Sequence, residues 1–270
     1  MCTTCGCGTT ETHDHDHHHG GHHHSHSHSH DHEHLDHEHD THDHDHNDHD
    51  GRKRTVIAIE EDILAKNNRL ASFNRALFKD KGIFVLNLVS SPGSGKTTLL
   101  ERTLRDLADR FRFAVIEGDQ QTDNDARRIA ATGVAVRQIN TGAGCHLDAH
   151  MVMHGTEGFD LDSLDVLLIE NVGNLICPAA FDLGEHHKVA VLSVTEGEDK
   201  PLKYPQMFHN STVMLLNKTD LLPHLDFDVE KCKEYARRVN PGIAIFEVSA
   251  RTGEGMKGWY QWLTTGMEKP

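Results

Sequence analysis

The chain has 270 residues, 36% of them hydrophobic and 6% aromatic, and a net charge of −15. No apolar run approaches the roughly 18 residues that a membrane-spanning helix needs, and no basic stripe marks a nucleic-acid surface. Neither a membrane nor a nucleic acid is therefore an expected partner. The charge is uneven: twelve acids fall between residues 11 and 50, so the remainder is close to balanced.

The chain opens with Cys2-Thr3-Thr4-Cys5-Gly6-Cys7. Three thiols converge within one turn, and Gly6 allows the tight bend. With the α-amine, exposed if Met1 is removed, they form a four-ligand set that suits square-planar Ni²⁺ or tetrahedral Zn²⁺. Residues 1–10 are thus read as a Cys-rich metal-binding terminus. In the tract 11–50, nineteen of the chain's 26 histidines lie between His13 and His49, interleaved with Asp, Glu, Ser and Gly. Residues 1–50 hold no Lys or Arg and almost no apolar side chain. They cannot bury enough surface to offset the entropy of ordering, so a disordered tail is expected. Its imidazoles suit Ni²⁺, Cu²⁺ and Zn²⁺ at many modest, pH-dependent sites. A basic n-region and an apolar h-region are both missing, so no secretory signal is expected here. A cytoplasmic location follows as the expectation, with the six cysteines serving as ligands or thiols rather than disulfides.

Residues 51–270 suit one α/β domain. Residues 60–79 are predicted to form an amphipathic helix with Ile63, Leu64, Leu70, Phe73, Leu77 and Phe78 on its apolar side. Strands are predicted at 83–89, 113–117, 134–139, 166–170, 189–194, 212–216 and 243–248. Helices are predicted at 98–110, 123–131, 147–154, 231–239 and 256–263. Such alternation argues for a mostly parallel sheet covered by helices on both faces, with a ligand at the carboxyl ends of the strands.

The run Ser90-Ser91-Pro92-Gly93-Ser94-Gly95-Lys96-Thr97 joins the first of these strands to a helix. That is the setting of a phosphate-binding loop, whose backbone N–H groups and helix N-terminus cradle an anion. Gly93 and Gly95 supply the permissive backbone, with Ser94 between them and Thr98 following in the helix. Lys96 can reach the β- and γ-phosphates, and the Thr97 hydroxyl can ligate Mg²⁺. Ser90 stands where the general pattern has glycine, which costs little if φ there is negative.

Asn217-Lys218-Thr219-Asp220 ends the strand 212–216. The Asp220 carboxylate can accept from both N1–H and the exocyclic amine of guanine. Adenine lacks those donors and would leave the carboxylate unpaired. The Lys218 stem can cover the base, and Asn217 can tie this loop to the phosphate loop. In Ser249-Ala250-Arg251, the Ala250 N–H can donate to guanine O6. GTP is the expected nucleotide.

Thr141-Gly142-Ala143-Gly144 leads into Cys145-His146, ahead of the helix predicted at 147–154. A cysteine at a helix start is a ready metal ligand. Cys177 follows the strand 166–170 and a turn expected at 171–174. His146, His150 and His154 recur every four residues; as an isolated pattern that is read as a polar face. Cys232 is read as structural.

Together, the phosphate loop, Gly118-Asp119, Gly144-Cys145-His146, Glu170-Asn171-Val172-Gly173-Asn174-Leu175 and Asn217-Lys218-Thr219-Asp220 closely resemble the HypB family. These are the nickel-insertion GTPases of hydrogenase maturation, and the Cys-x-x-Cys-Gly-Cys start and His-rich tract extend the likeness over essentially the whole chain. The resemblance implies the metallochaperone and signal-recognition branch of the P-loop GTPases. It implies a nucleotide-linked homodimer, a HypA-type nickel chaperone as partner, and delivery of Ni²⁺ to the [NiFe]-hydrogenase large-subunit precursor. It makes Cys2, Cys5 and Cys7 a high-affinity nickel site, and Cys145, His146 and Cys177 a second nickel or zinc site at the dimer contact. Glu170-Asn171-Val172-Gly173 stands where GTPases carry D-x-x-G. Glu170 can hold Mg²⁺, the Gly173 N–H can meet the γ-phosphate, and Asp119 can serve the metal or the attacking water. The hydrolytic base is left open. With no arginine finger evident, turnover on the order of ~10⁻⁴–10⁻² s⁻¹ is expected. A urease or zinc GTPase of the same branch, and a His-rich nickel store, are the alternatives.

Overall fold

The computed structural model describes residues 48–267, and side chains from residue 58 onward. Cys2, Cys5, Cys7, nearly all of the His-rich tract and residues 268–270 lie outside the described residues. Nine α-helices and seven strands alternate along the described chain. The strands are β1 (Phe84–Ser90), β2 (Phe113–Asp119), β3 (Ala135–Asn140), β4 (Val166–Gly173), β5 (His187–Ser193), β6 (Val213–Asn217) and β7 (Ala244–Glu247). They form one sheet in the order β3-β2-β4-β1-β5-β6-β7, and every pairing is parallel.

Parallel neighbours need crossovers, and the helices supply them on both faces. Side chains of β1 alternate accordingly. Phe84, Leu86 and Leu88 pack with Leu99, Leu100 and Leu104 of α2 (Lys96–Leu107) and with Trp259 and Leu263 of α9 (Met256–Met267). Val85 points the other way, toward Phe78 of α1 (Asp48–Asp80) and Val152 of α4 (Ala149–Gly155). Val89 joins Phe208 of α7 (Pro205–His209) and the fully buried Cys232 of α8 (Val229–Val239). The chain leaves β1 for β2 on one side and later returns to β5 on the other. The crevice between these halves lies at the carboxyl end of β1, where a doubly wound sheet binds its ligand.

All seven predicted strands are present. β4 continues through Gly173, because Ser90 pairs with Gly173 after a register shift that puts one extra residue in β4; the turn expected at 171–174 is therefore largely strand. The first helix is longer than predicted and reaches back to Asp48, so residues 48–50, expected in the tail, are helical. Once nucleated, a helix extends at little cost. Its buried face also differs from prediction. Ile63 is 51% and Phe73 70% exposed, while Asn67, Ala71, Asn74 and Phe78 face the domain. Three short helices were not foreseen: α5 (Cys177–Ala180), α6 (Lys200–Lys203) and α7, each with proline in its first turn. The remaining helix is α3 (Asn124–Ala130). No described helix is long and apolar enough to cross a membrane.

Leu168 lies on β4 in the middle of the sheet and is fully buried. Leu168→Ala should cost about 2–5 kcal/mol through lost burial plus a cavity. Urea unfolding monitored by tryptophan fluorescence would measure it.

Candidate nucleotide and metal site

The loop between β1 and α2 is shaped by two left-handed glycines, Gly93 (φ 74°) and Gly95 (φ 95°). Ser90 has no positive φ, so its replacement of glycine is unstrained. Its hydroxyl accepts from Lys96 Nζ at 2.9 Å. Burial pushes the Lys96 amine down, and the nearby Glu170 opposes that. Gly95 is fixed by contact as well as by φ: a Cβ there would lie 2.7 Å from Asn217 Nδ2. Asn217 uses that amide to donate to Ser94 O at 3.0 Å, tying the base loop to the phosphate loop as expected.

Lys218, with φ 65°, donates from Nζ to Gly93 O at 2.7 Å. Asp220 sits in a 3₁₀ turn (Thr219–His224) and accepts from Ser249 Oγ at 2.7 Å. The Ala250 N–H, expected to face guanine, here donates to Asn217 Oδ1 at 3.2 Å. A cavity of about 280 Å³ opens between Gly95, Lys218, Asp220, Leu221, Ala250 and Arg251. A second, of about 320 Å³, is lined by residues 93–98 with Asp125, Arg128, Glu170 and Lys218. The two share Gly95, Thr98 and Lys218, and so form a base end and a phosphate end of one crevice.

At the phosphate end, Thr97 Oγ1 donates to Glu170 Oε1 at 2.8 Å. Glu117 and Glu170 are paired neighbours on β2 and β4. Burial pushes Glu170 up to about 7, against the pull of Lys96 and Thr97. Burial, and then the Glu170 charge, push Glu117 up to about 8. Glu117 Oε2, Glu170 Oε2 and Ser94 Oγ are buried without a hydrogen-bond partner among the described residues. Two orphaned carboxylate oxygens beside a threonine hydroxyl fit a hard, oxygen-preferring cation such as Mg²⁺. Asp119 is placed differently from Glu170. It does not line the phosphate cavity; its carboxylate accepts from Thr122 N–H at 2.9 Å and Thr122 Oγ1 at 2.8 Å. Burial pushes Asp119 up, but those bonds outweigh it and hold the carboxyl below its ordinary value.

Sequence reasoning missed Glu117 and Arg128. The signal for Glu117 was a lone charge inside an otherwise apolar strand. No motif in its helix marks Arg128. It bridges Thr98 Oγ1 at 3.0 Å, Glu101 at 2.7 Å and Asp125 at 3.1 Å on the cavity wall.

Beyond Glu170, β4 brings Gly173 against the phosphate loop. A Cβ on Gly173 would sit 3.0 Å from Pro92 Cα. Four residues later Cys177 opens α5, its N–H and that of Ile176 accepted by Asn174 Oδ1 at 3.3 and 2.7 Å. Cys145 lies in a loop that Thr141 closes onto Gly144. The following helix, α4, begins only at Ala149 with Asp148 as its cap, so Cys145 does not sit at a helix start. The ligand atoms of Cys145, His146 and Cys177 nonetheless all lie within 4.8 Å of one another. His146 packs on Phe181 with ring centroids 4.0 Å apart, and burial lowers its pKa, favouring the neutral imidazole that binds metal. His150 and His154 are outside this trio and bond to each other at 3.1 Å.

A phosphate loop at the sheet's switch point, joined to an Asn-Lys-Thr-Asp base loop, defines a P-loop GTPase. The CobW/HypB/UreG nucleotide-binding domain family matches residues 84–247. The chain is 68% identical over 208 residues to the hydrogenase maturation factor HypB of Azotobacter vinelandii, covering 77% of this chain and 69% of that protein. It is 63% identical over 213 residues to the Escherichia coli K12 HypB, covering 79% and 73%. The crystal structure of Helicobacter pylori HypB in complex with nickel superposes with a TM-score of 0.72 at 39% identity, covering 76% of this chain and 96% of that one. Archaeoglobus fulgidus HypB gives 0.71 at 40%, covering 75% and 99%. The chain belongs to the HypB family of hydrogenase maturation factors.

Glu117 and Glu170 hold protons in the folded state well above their ordinary value of 4.5. Between that value and about 8 the native state binds more protons than the unfolded chain, so stability without nucleotide should fall as pH rises. Urea midpoints taken from pH 5 to pH 8 should decrease, and Glu117→Gln should flatten the decline. Parallel profiles for the two proteins would show that Glu117 is unperturbed.

Proposed function

We propose that this protein is a GTP-hydrolysing nickel metallochaperone that supplies Ni²⁺ to the [NiFe]-hydrogenase large-subunit precursor. One observation carries the reading: a single stretch of chain runs from Glu170, bonded to Thr97, past Gly173 on the phosphate loop, to Cys177 in the thiol–imidazole trio.

Gly93, Ser94, Gly95, Lys96, Thr97 and Thr98 cradle the phosphates, and Lys96 exchanges Ser90 for phosphate oxygens. Asn217, Lys218, Asp220, Ser249 and Ala250 select guanine. Thr97 and Glu170 would hold Mg²⁺, with Glu117 beside them, and Asp119 reaches the site only by leaving Thr122. Bound there, the cation would neutralise developing phosphate charge. Arg128 stands ready as a further cation on the cavity wall. Turnover is slow, because positioning and neutralisation are the whole of the catalysis and no trans-acting arginine is supplied by this chain alone.

Ni²⁺ is the cargo, and Cys145, His146 and Cys177 its seat in the domain; Zn²⁺ suits the same donors. Cys2, Cys5, Cys7 and the His tract add a tight site and a buffer. Loss of the γ-phosphate releases Gly173 and shifts Cys177, so nucleotide state sets metal affinity and, by linkage, metal sets nucleotide affinity. Two chains meeting at the trio would share ligands as a homodimer. A HypA-type chaperone is the natural exchange partner, in the cytoplasm. A relative in Helicobacter pylori, 42% identical, is called a hydrogenase/urease maturation factor. A urease precursor is accordingly the second client to test, by co-purification against a hydrogenase precursor.

Nickel titration of the full chain with GDP and with a non-hydrolysable GTP analogue should give different affinity or coordination at the trio. Identical spectra and affinities would remove the coupling. Asp220→Asn should exchange guanine for xanthine preference, since an amide donates where the carboxylate accepted. Competition binding reads that outcome, and unchanged GTP affinity would refute the role of Asp220.

A further inference from the structure

α1 provides no ligand to the thiol–imidazole trio, yet it grips both loops that carry it. Asn67 Oδ1 accepts from Ala149 N–H at 2.9 Å, and its Nδ2 donates to Asp182 O at 2.7 Å. Asn74 Nδ2 donates to Ala149 O at 2.8 Å and to Leu183 O at 3.0 Å. Ala149 is three residues beyond His146, and Asp182 five beyond Cys177. Both asparagines are buried, at 5% and 1% exposure. They are seven residues apart, about two helical turns, and so share one face.

Buried loop backbone must find partners, and one polar side chain per loop would have met that need. Here each asparagine instead bridges the same two segments, the start of α4 and the chain after α5, which are separated by more than thirty residues of sequence. A short side chain with two χ angles, anchored on a rigid helix, is a spacer of fixed length. Arg75 adds a forked contact to Asp182 at 2.7 and 2.8 Å. Cys145 Sγ and His146 Nδ1 stand 3.6 Å apart, within the roughly 3.3–3.8 Å that separates donors in a tetrahedral site with bonds of about 2.0–2.3 Å, and Cys177 Sγ lies within 4.8 Å of both residues' ligand atoms. A closing movement of one loop on the other must therefore work against, or carry with it, the helix that holds them.

We propose that Asn67 and Asn74 are positioning residues of the metal site: α1 sets the separation of the Cys145–His146 pair from Cys177, and thereby the geometry and affinity with which nickel is held. This rests on the reading of the trio as a nickel seat. Neither asparagine touches the phosphate loop or the base loop, so the effect falls on metal and not on nucleotide.

The test uses the full chain with Cys2, Cys5 and Cys7 changed to Ser, titrated with Ni²⁺ while thiolate-to-nickel charge-transfer absorption is recorded. The His tract gives no such band and is common to every variant. Burial pushes the Cys232 thiol up to about 12, which keeps it silent. Asn74→Leu removes both of that residue's bonds and should move the titration midpoint at least tenfold toward higher nickel, with a shifted band. Asn67→Asp keeps the acceptor for Ala149 N–H and turns the donor that met Asp182 O into a carboxylate oxygen that repels it; a shift of about threefold is expected. Guanine nucleotide affinity should stay within twofold in both. Variants that bind nucleotide normally and reproduce the parent's band and midpoint would overturn the proposal. If Asn74→Leu does not fold, Asn67→Asp decides alone, and an unmoved band in it is equally fatal. If the parent shows no thiolate band, the trio is not a nickel seat and both readings fall. A parent band with unmoved variants sinks only the spacer.

Discussion

The hydrogen bond from Thr97 to Glu170 is the joint on which the architecture turns. It crosses from the first turn of α2 to the middle of β4 and is almost wholly shielded from water. A hydrogen bond to a buried carboxyl is stronger than its solvated counterpart, and leaving either partner alone would be costly. Beyond Glu170, β4 runs on through the pairing of Gly173 with Ser90, against Pro92, to the segment that ends at Cys177.

Beneath that joint the interior is unexpectedly polar. Asn171 Oδ1 accepts from the Leu147 and Val172 N–H groups, and its amide donates to Asn87. Asn87 donates to Glu185, and Lys188 donates to the carbonyls of Pro178, Ala179 and Phe181. A polar chain thus passes from the Cys145 loop, through β4 and β1, toward the carbonyls that follow Cys177. A sheet interior built only for stability would have used apolar residues here, since satisfied polar networks gain little over good packing. Their value lies in fixing one geometry.

The seven strands were legible because each is a short apolar run bounded by turn residues, and a fully parallel sheet buries both faces of its strands. The phosphate and base loops were legible because their spacing is dictated by the nucleotide they would hold. The burial of α1 was not. Its apolar stripe predicted Ile63 and Phe73 inward, but the helix turns Asn67 and Asn74 to the domain to meet loop backbone. Periodicity weighs side chains by hydrophobicity and cannot see carbonyl groups 75 or more residues away. Glu117 was passed over for a related reason: a buried acid gains meaning only from its register with Glu170. The short helices α5, α6 and α7 fall below the length at which a helical period can be recognised.

Cys232 stands apart from Cys145 and Cys177, packed against Val89 and Phe208 with its proton firmly retained. Alkylating reagents and mild oxidants act on thiolates. Cys145 and Cys177 are buried too, at 5% and 8% exposure, but they sit beside the His146 ring rather than inside an apolar cluster. Fully enclosed among apolar side chains, Cys232 is shut away from such reagents and behaves as a plain hydrophobe.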